Sequence, residues 1–332
     1  MNFDCFKHFW VDPNHLHFTL STSGSTGEPK PVVLPKEGLR WSAHNTNKVL
    51  KLSQIPHAKL LCCIPTHKIG GFMMWVRAVE LGLQIETHAP QADPMKDLSR
   101  SHDFNIVSLV PYQLQTILQN PESVNKLNQF NLVLVGGAAL NGSLQKAILN
   151  LKPRFYLSYG MTETFSHIAL QALNGPQKQD FFELMPDCEI QVNDQNNLLV
   201  KTPFTQGSFL QTQDQAQWVS PNSFVILGRS DFVINSGGIK LFPEEIESAI
   251  SALQVIEPHI DWLISSAPHP ALGEQVVLVS SLPLEPSLKA EIMKPLPTYY
   301  KPKLFVVLEA IPRTQTGKLM RNLVKEKLSI QL

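Results

Sequence analysis

The chain has 332 residues, enough for two domains and a substantial core, with 28 Lys plus Arg against 28 Asp plus Glu. That balance supplies no global field for nucleic acid or an acidic membrane, and 17% charged residues suits a well-buried enzyme better than a solvated tail. Four cysteines at positions 5, 62, 63 and 188 have neither metal-ligand spacing nor the density of a disulfide framework. No apolar run is long enough to span a bilayer, and residues 1–10 carry Asp4 and no apolar core of a secretory signal. A soluble cytoplasmic protein is expected.

In chain order, residues 16–20 alternate as a strand. There follows Thr22-Ser23-Gly24-Ser25-Thr26-Gly27-Glu28-Pro29-Lys30, rich in hydroxyls, with two glycines and a lysine. Hydroxyls and unhindered backbone N–H groups suit a phosphate chain, and glycines let the backbone curl round it. The pattern is not a Walker A loop. A flexible Ser/Gly linker is the plain alternative; the strand before it and the Pro-containing exit argue for a nucleotide-phosphate loop.

From residue 58, short apolar runs alternate with helical patterns. Strands are expected at 58–64, 83–87, 105–110, 132–135 and 154–158, and helices at 71–81, 112–119 and 143–151. This rhythm predicts an α/β fold with a mostly parallel sheet flanked by helices. Distinctive residues follow the strands: Pro65-Thr66-His67-Lys68, Pro111-Tyr112, Gly136-Gly137-Ala138-Ala139 and Tyr159-Gly160-Met161-Thr162-Glu163-Thr164. The carboxyl ends of parallel strands are where open α/β sheets bind ligands. Cys62 and Cys63, inside an apolar run, read as core residues.

Beyond residue 175 the chain becomes polar and short-stranded, with strands at 198–200 and 209–210. After residue 230 come a strand at 232–235, a Gly237-Gly238 turn and a helix opened by Pro243 with Glu244, Glu245 and Glu247. Strands at 262–265, 275–280 and 304–308, a helix at 288–293 and a closing helix at 318–328 complete a small α+β unit. The expected division is a large domain, 1–230, and a small mobile domain, 231–332.

Taken in order, these segments resemble the adenylate-forming superfamily of acyl-CoA synthetases, adenylation domains and luciferases. The resemblance runs from the 22–30 loop through Tyr159-Gly160-Met161-Thr162-Glu163, Thr212-Gln213-Asp214, residues 224–229, Asp231 and residues 237–247 to Pro312-Arg313-Thr314-Gln315-Thr316-Gly317-Lys318. It implies that a carboxylate attacks the α-phosphate of ATP, and that a thiol, CoA, then captures the acyl group. It further implies Lys318 bridging carboxylate and phosphate, Glu163 holding Mg²⁺, and Thr162 bonding phosphate. Tyr159, Gly160 and the turn at Gly136, Gly137 and Ala138 would flank the nucleotide, and Asp214 and Arg229 the ribose. His67 would line the acyl pocket, Gly237 and Gly238 a CoA tunnel, and Asp231 the hinge.

Each residue has a plainer reading: a solvated lysine, a capping glutamate, a structural histidine, a tight-turn glycine. Two positions depart from the family pattern, Gln213 and Pro31, each where glycine is usual. Only 21 residues precede the loop, which implies an abbreviated N-terminal subdomain. Self-association is one way to cover the surface this would leave, and Trp10, Trp41 and Trp75 are candidates to cover it. Within the superfamily the chain is most similar to the o-succinylbenzoate–CoA ligases of menaquinone biosynthesis, which implies a small-molecule carboxylic acid substrate. Loading of a separate carrier protein and a non-catalytic nucleotide-binding remnant are the alternatives. His67, Lys68 and Arg77 lie on or after the strand-end loop, where a cation could meet a second carboxylate of the substrate; for Arg77 the plainer reading, an exposed helix position, is preferred.

Overall fold

The computed structural model describes residues 1–22, 30–257, 260–313 and 319–331. Among these residues eleven strands form the main sheet. One half is the parallel run foreseen, in the order Gln84–Thr87, Lys59–Cys62, Ile106–Leu109, Leu132–Val135 and Arg154–Met161. Leu132–Val135 and Ile106–Leu109 are buried along their whole length, as strands covered on both faces must be. Helices supply the crossovers. Ile69–Leu81 stops at Gly82, whose φ of 64° closes the last turn. Pro111–Leu118 starts on a proline, and the Gln113 side chain accepts from the N–H of Val110.

After Met161 the sheet changes direction. Thr162–Thr164 makes a single 3₁₀ turn, and Ser166–Ala172 returns antiparallel to Arg154–Met161. The reversal puts two non-glycine residues at positive φ, Phe165 at 61° and Ser166 at 115°. Such positions cost of order 1–3 kcal/mol each and persist only where surroundings enforce them. Here the Phe165 ring is buried against Phe204, with centroids 5.6 Å apart. The Thr164 hydroxyl lies 2.7 Å from Ser166 O and 3.1 Å from Met161 O. From this corner onward hairpin connections take over. Phe182–Leu184, Ser223–Arg229, Leu210–Ser220, Asn197–Lys201 and Glu189–Val192 are added antiparallel.

The strand before the Ser/Thr/Gly loop lies outside the main sheet. His17–Ser21 pairs antiparallel with Pro31–Pro35 in a separate two-stranded ribbon, so residues 22–30 connect a hairpin and do not leave a parallel strand. Pro31 opens the second strand opposite Ser21.

A compact aromatic cluster forms around the first helix. Helix Phe3–Val11 buries Phe6 and Trp10, and the Phe6 ring meets Phe18, Phe72 and Trp75 at 5.3–5.6 Å between centroids. Two polar clamps fix the helix. Trp10 Nε1 donates to Glu80 at 2.7 Å, and Lys36 Nζ donates to the carbonyls of Phe9 and Asp12 at 3.2 and 2.8 Å, at the negative end of the helix dipole. Trp75 is buried in the same cluster, whereas Trp41 is half-buried against the main core.

The C-terminal part is built on a smaller sheet: Ile239–Leu241, Ile234–Ser236, Gly273–Ser280 and Trp262–His269, with Leu304–Val307 parallel to Gly273–Ser280. Helices Pro243–Leu253 and Pro286–Met293 bury Ile246, Ile250 and Ile292 in one cluster, and Arg321–Gln331 buries Val324 and Leu328 in another. Among the described residues no helix is long and apolar enough to cross a membrane. Replacing Phe6, which is 0% exposed, by alanine is expected to cost about 3–5 kcal/mol, read as a lower denaturation midpoint in urea.

Candidate functional site

Residues from four separate stretches of sequence meet at the switch from parallel to antiparallel strands. Tyr159, near the end of Arg154–Met161, donates its hydroxyl proton to Asp214 Oδ2 at 2.6 Å. Its ring packs on Phe182 and Phe224 at 5.8 and 5.7 Å. Burial, reinforced by the Asp214 charge, holds the phenol well above its ordinary pKa, so Tyr159 is a fixed donor. Asp214 stands opposite Arg229 on the neighbouring strand, with Arg229 Nη1 3.5 Å from Asp214 Oδ1. Arg229 also holds Asp231 through two hydrogen bonds of 2.9 and 2.8 Å. Burial pulls the guanidinium down, but Asp231 and Asp214 outweigh it and raise its pKa. Gln213 occupies an ordinary strand position, outside the positive-φ residues, so nothing there requires glycine. Its carbonyl and side chain instead accept from the Ser230 hydroxyl.

The turns at the strand ends line the same rim. Gly136 follows Leu132–Val135, where an added Cβ would press on the Ser158 hydroxyl, and Gly137 has φ 89°, a conformation that favours glycine. Gly160 lies against the backbone of Ser166 and His167, where any Cβ would collide. Thr162 is buried, while Glu163 and His67 are exposed on the rim. Lys68 Nζ donates to the carbonyls of Ser21 and Thr22 at 3.3 Å, which brings the 65–68 turn against the base of the 22–30 loop. That base is closed by Thr22 N to Lys30 O at 2.9 Å and by Lys30 N to the Thr22 hydroxyl at 3.2 Å. Ser23, Gly24, Ser25, Thr26, Gly27 and Lys318 lie outside the described residues. Gly237 and Gly238, at φ 60° and 82°, form the two-residue turn between Ile234–Ser236 and Ile239–Leu241.

Arg77 is not an exposed helix residue; it is 2% exposed and among the most deeply placed polar groups in the fold. Its Nε donates to the Thr46 hydroxyl at 3.4 Å, and its Nη2 reaches Ser166 Oγ at 3.3 Å and His167 Nδ1 at 3.5 Å. Burial lowers the guanidinium to about 10, so it stays charged at neutral pH. No carboxylate pairs with it among the described residues, although a buried charge ordinarily requires one. Thr46 has one proton, given to Ser42 O at 2.9 Å, so at 2.9 Å from His167 Nε2 it accepts. His167 therefore carries its proton on Nε2 and turns the Nδ1 lone pair toward Arg77. Burial and the Arg77 charge push its pKa well below the usual range, which keeps it neutral. The sequence carried one signal for this. Helix Ile69–Leu81 is apolar all round, and residues 71–78 are all buried, so a cation within that run had to be buried too.

Among the described residues no cluster of three or more His, Cys, Asp or Glu side chains could hold a metal by itself. Glu163 offers a single exposed carboxylate. Such a ligand suits Mg²⁺, which takes one or two carboxylates and completes its shell with phosphate oxygens and water.

The pattern for AMP-binding enzymes matches residues 5–210. The chain belongs to this family and is an AMP-forming acyl-CoA ligase-type enzyme. A 2-succinylbenzoate–CoA ligase of Listeria innocua is 29% identical over 93% of this chain and 69% of its own length. The crystal structure of an acyl-CoA synthetase (AMP-forming)/AMP-acid ligase II-like protein from Dyadobacter fermentans is 35% identical. It covers 98% of this chain and 93% of that one, with a TM-score of 0.64. An o-succinylbenzoate coenzyme A synthetase from Bacillus subtilis, solved with ATP and magnesium, shares the fold at 24% identity and a TM-score of 0.74. It covers 92% of this chain and 68% of that one.

His167 gives a pH-dependent stability of defined sign. Below about pH 6.5 the unfolded chain takes up a proton that the buried imidazole refuses, so stability falls as pH falls, by up to about 1.4 kcal/mol per pH unit. Urea denaturation at pH 7.5 and 5.5 is expected to show a smaller pH difference for His167→Gln than for the parent chain.

Proposed function

We propose that the enzyme activates a carboxylic acid bearing a second anionic group, o-succinylbenzoate being the leading candidate, and transfers the acyl group to CoA. The observation that carries this reading is Arg77, a buried cation beside the strand that follows Thr162 and Glu163 and without a carboxylate among the described residues. An acyl chain whose distal end is a carboxylate would supply the missing charge, and recognition would be strong because the pair is shielded from water. The names of the curated relatives from Listeria favour the same acid.

In this reading the 22–30 loop and Thr162 bind the triphosphate. Tyr159 and the turn at Gly136, Gly137 and Ala138 bracket the base, Asp214 accepts from the ribose hydroxyls, and Arg229 makes a second contact to the ribose as a donor. Glu163 helps to hold Mg²⁺, which offsets phosphate charge when bound. Adenylation brings two anions together and expels pyrophosphate, so it requires fixed positive charge at the α-phosphate, supplied by Lys318. The chain would divide near residue 230 into a large body and a small one that turns about Asp231. That turn would withdraw Lys318 and bring Gly237 and Gly238 to the thiol path, while His67 would flank the acyl entrance.

The test is incubation with ATP, Mg²⁺ and o-succinylbenzoate, with and without CoA, following AMP and thioester. CoA-dependent thioester supports the proposal. Adenylate without CoA turnover would point to a carrier protein as acceptor, and no AMP with a panel of acids would leave only nucleotide binding. Arg77→Met is expected to raise KM for the dianionic acid at least about tenfold, while a monocarboxylate of similar size is affected much less. Lys318→Ala is expected to slow adenylation far more than thiolation of preformed adenylate; equal losses would contradict its role.

A further inference from the structure

Among the described residues, two of the contacts between the C-terminal part and the main body have opposite character. At the first, helix Gly142–Ala147 meets the end of helix Pro243–Leu253. The Ser143 hydroxyl donates to Ser251 O at 2.9 Å and Lys146 Nζ to Ala252 O at 2.9 Å. Both acceptors belong to the last turn, whose carbonyls carry the negative end of the helix dipole. A Cβ on Gly142 would stand 3.8 Å from Ala252 N and 4.0 Å from its Cα, so the two backbones nearly touch.

At the second place Gly228 faces Phe242 and Glu244, and a Cβ there would come within 2.7 Å of Glu244 Oε2. That oxygen is buried and has no hydrogen-bond partner among the described residues. Its sister atom lies 3.8 Å from Arg321 Nε, whose shorter contact, 2.6 Å, is with Glu247. One contact therefore leaves a polar atom unsatisfied, while the other supplies two hydrogen bonds, one of them charge-assisted. A junction with both features is held by its latch and relieved by opening.

We propose that Ser143 and Lys146 are positioning residues that lock the C-terminal part in one of its two working orientations, by tying helix Pro243–Leu253 to the segment that follows the Gly136-Gly137-Ala138 turn. The inference rests on the two-body reading given above. Because the latch begins five residues beyond Ala138, a nucleotide on that turn and the orientation of the small body act through one short segment.

The test places cysteines at Gly142→Cys and Ala252→Cys in a Cys5→Ser background, Cys5 being the exposed thiol among the four. Disulfide formation with oxidised glutathione is read by mass spectrometry in the absence of any acid, so it succeeds or fails independently of the substrate reading. The bond is expected to form, and ATP with Mg²⁺ to change its rate by about fivefold or more. Adding Ser143→Ala and Lys146→Met is expected to slow it about tenfold. With whichever acid the parent chain activates best, the oxidised enzyme should retain one half-reaction, lose the other, and recover it on reduction. Failure to cross-link would overturn the proposal, as would a rate indifferent to ATP or to loss of Ser143 and Lys146. Equal loss, or equal retention, of both half-reactions in the oxidised enzyme would do the same.

Discussion

Asp214 is the point on which the candidate site turns. Its two carboxylate oxygens face different partners: Tyr159 at the end of the parallel run, and Arg229 on the adjacent antiparallel strand. Because Arg229 also grips Asp231, one continuous path of charge and hydrogen bonds runs from the rim to the start of the C-terminal part. Neither half of the sheet could move relative to the other without breaking this path. The acid chemistry is also fixed by it, since a phenol held far above its ordinary pKa donates and cannot compete with Asp214 for cations.

The reversal at residues 162–166 has a second consequence. It ends the parallel half of the sheet and starts the antiparallel half, with Thr162 and Glu163 in the turn and Ser166 and His167 at the start of the returning strand. That strained corner is braced by Phe165 and Thr164; in the proposed function its two ends would serve the triphosphate and the acyl group. The two substrates of an acyl-activating reaction must meet within bonding distance, and in the proposed function this one tight turn would set that distance.

Much of this was legible in the chain. The apolar runs expected at 132–135 and 105–110, the helix opened by Pro243 and the Gly237-Gly238 turn fell where pattern and turn chemistry placed them, and the helix expected at 112–119 begins one residue earlier, on Pro111. Long-range pairing was not legible. His17–Ser21 alternates as any strand does, and nothing local says that its partner is Pro31–Pro35 and not the main sheet. The burial of Arg77 escaped for a related reason: charge is read as exposure unless the whole turn around it is weighed. Thr46 and His167, 31 and 90 residues away, have no signature that ties them to it. Missed too was helix Phe3–Val11, whose aromatic face finds its purpose only in Phe72 and Trp75.

That amino-terminal helix bears on the order in which the molecule assembles. Phe6 and Trp10 find their ring partners within the first 75 residues, and Trp10 its carboxylate at Glu80. During synthesis this aromatic knot needs only the stretch from Phe3 to Glu80, and none of the chain that follows it, to have emerged from the ribosome. Arg154–Met161 must by contrast wait for Ser166–Ala172, and Phe182–Leu184 for Ser223–Arg229. The knot can therefore close before the later strands of the main sheet are made, which shortens the time its apolar surface is open to chaperones and to other chains.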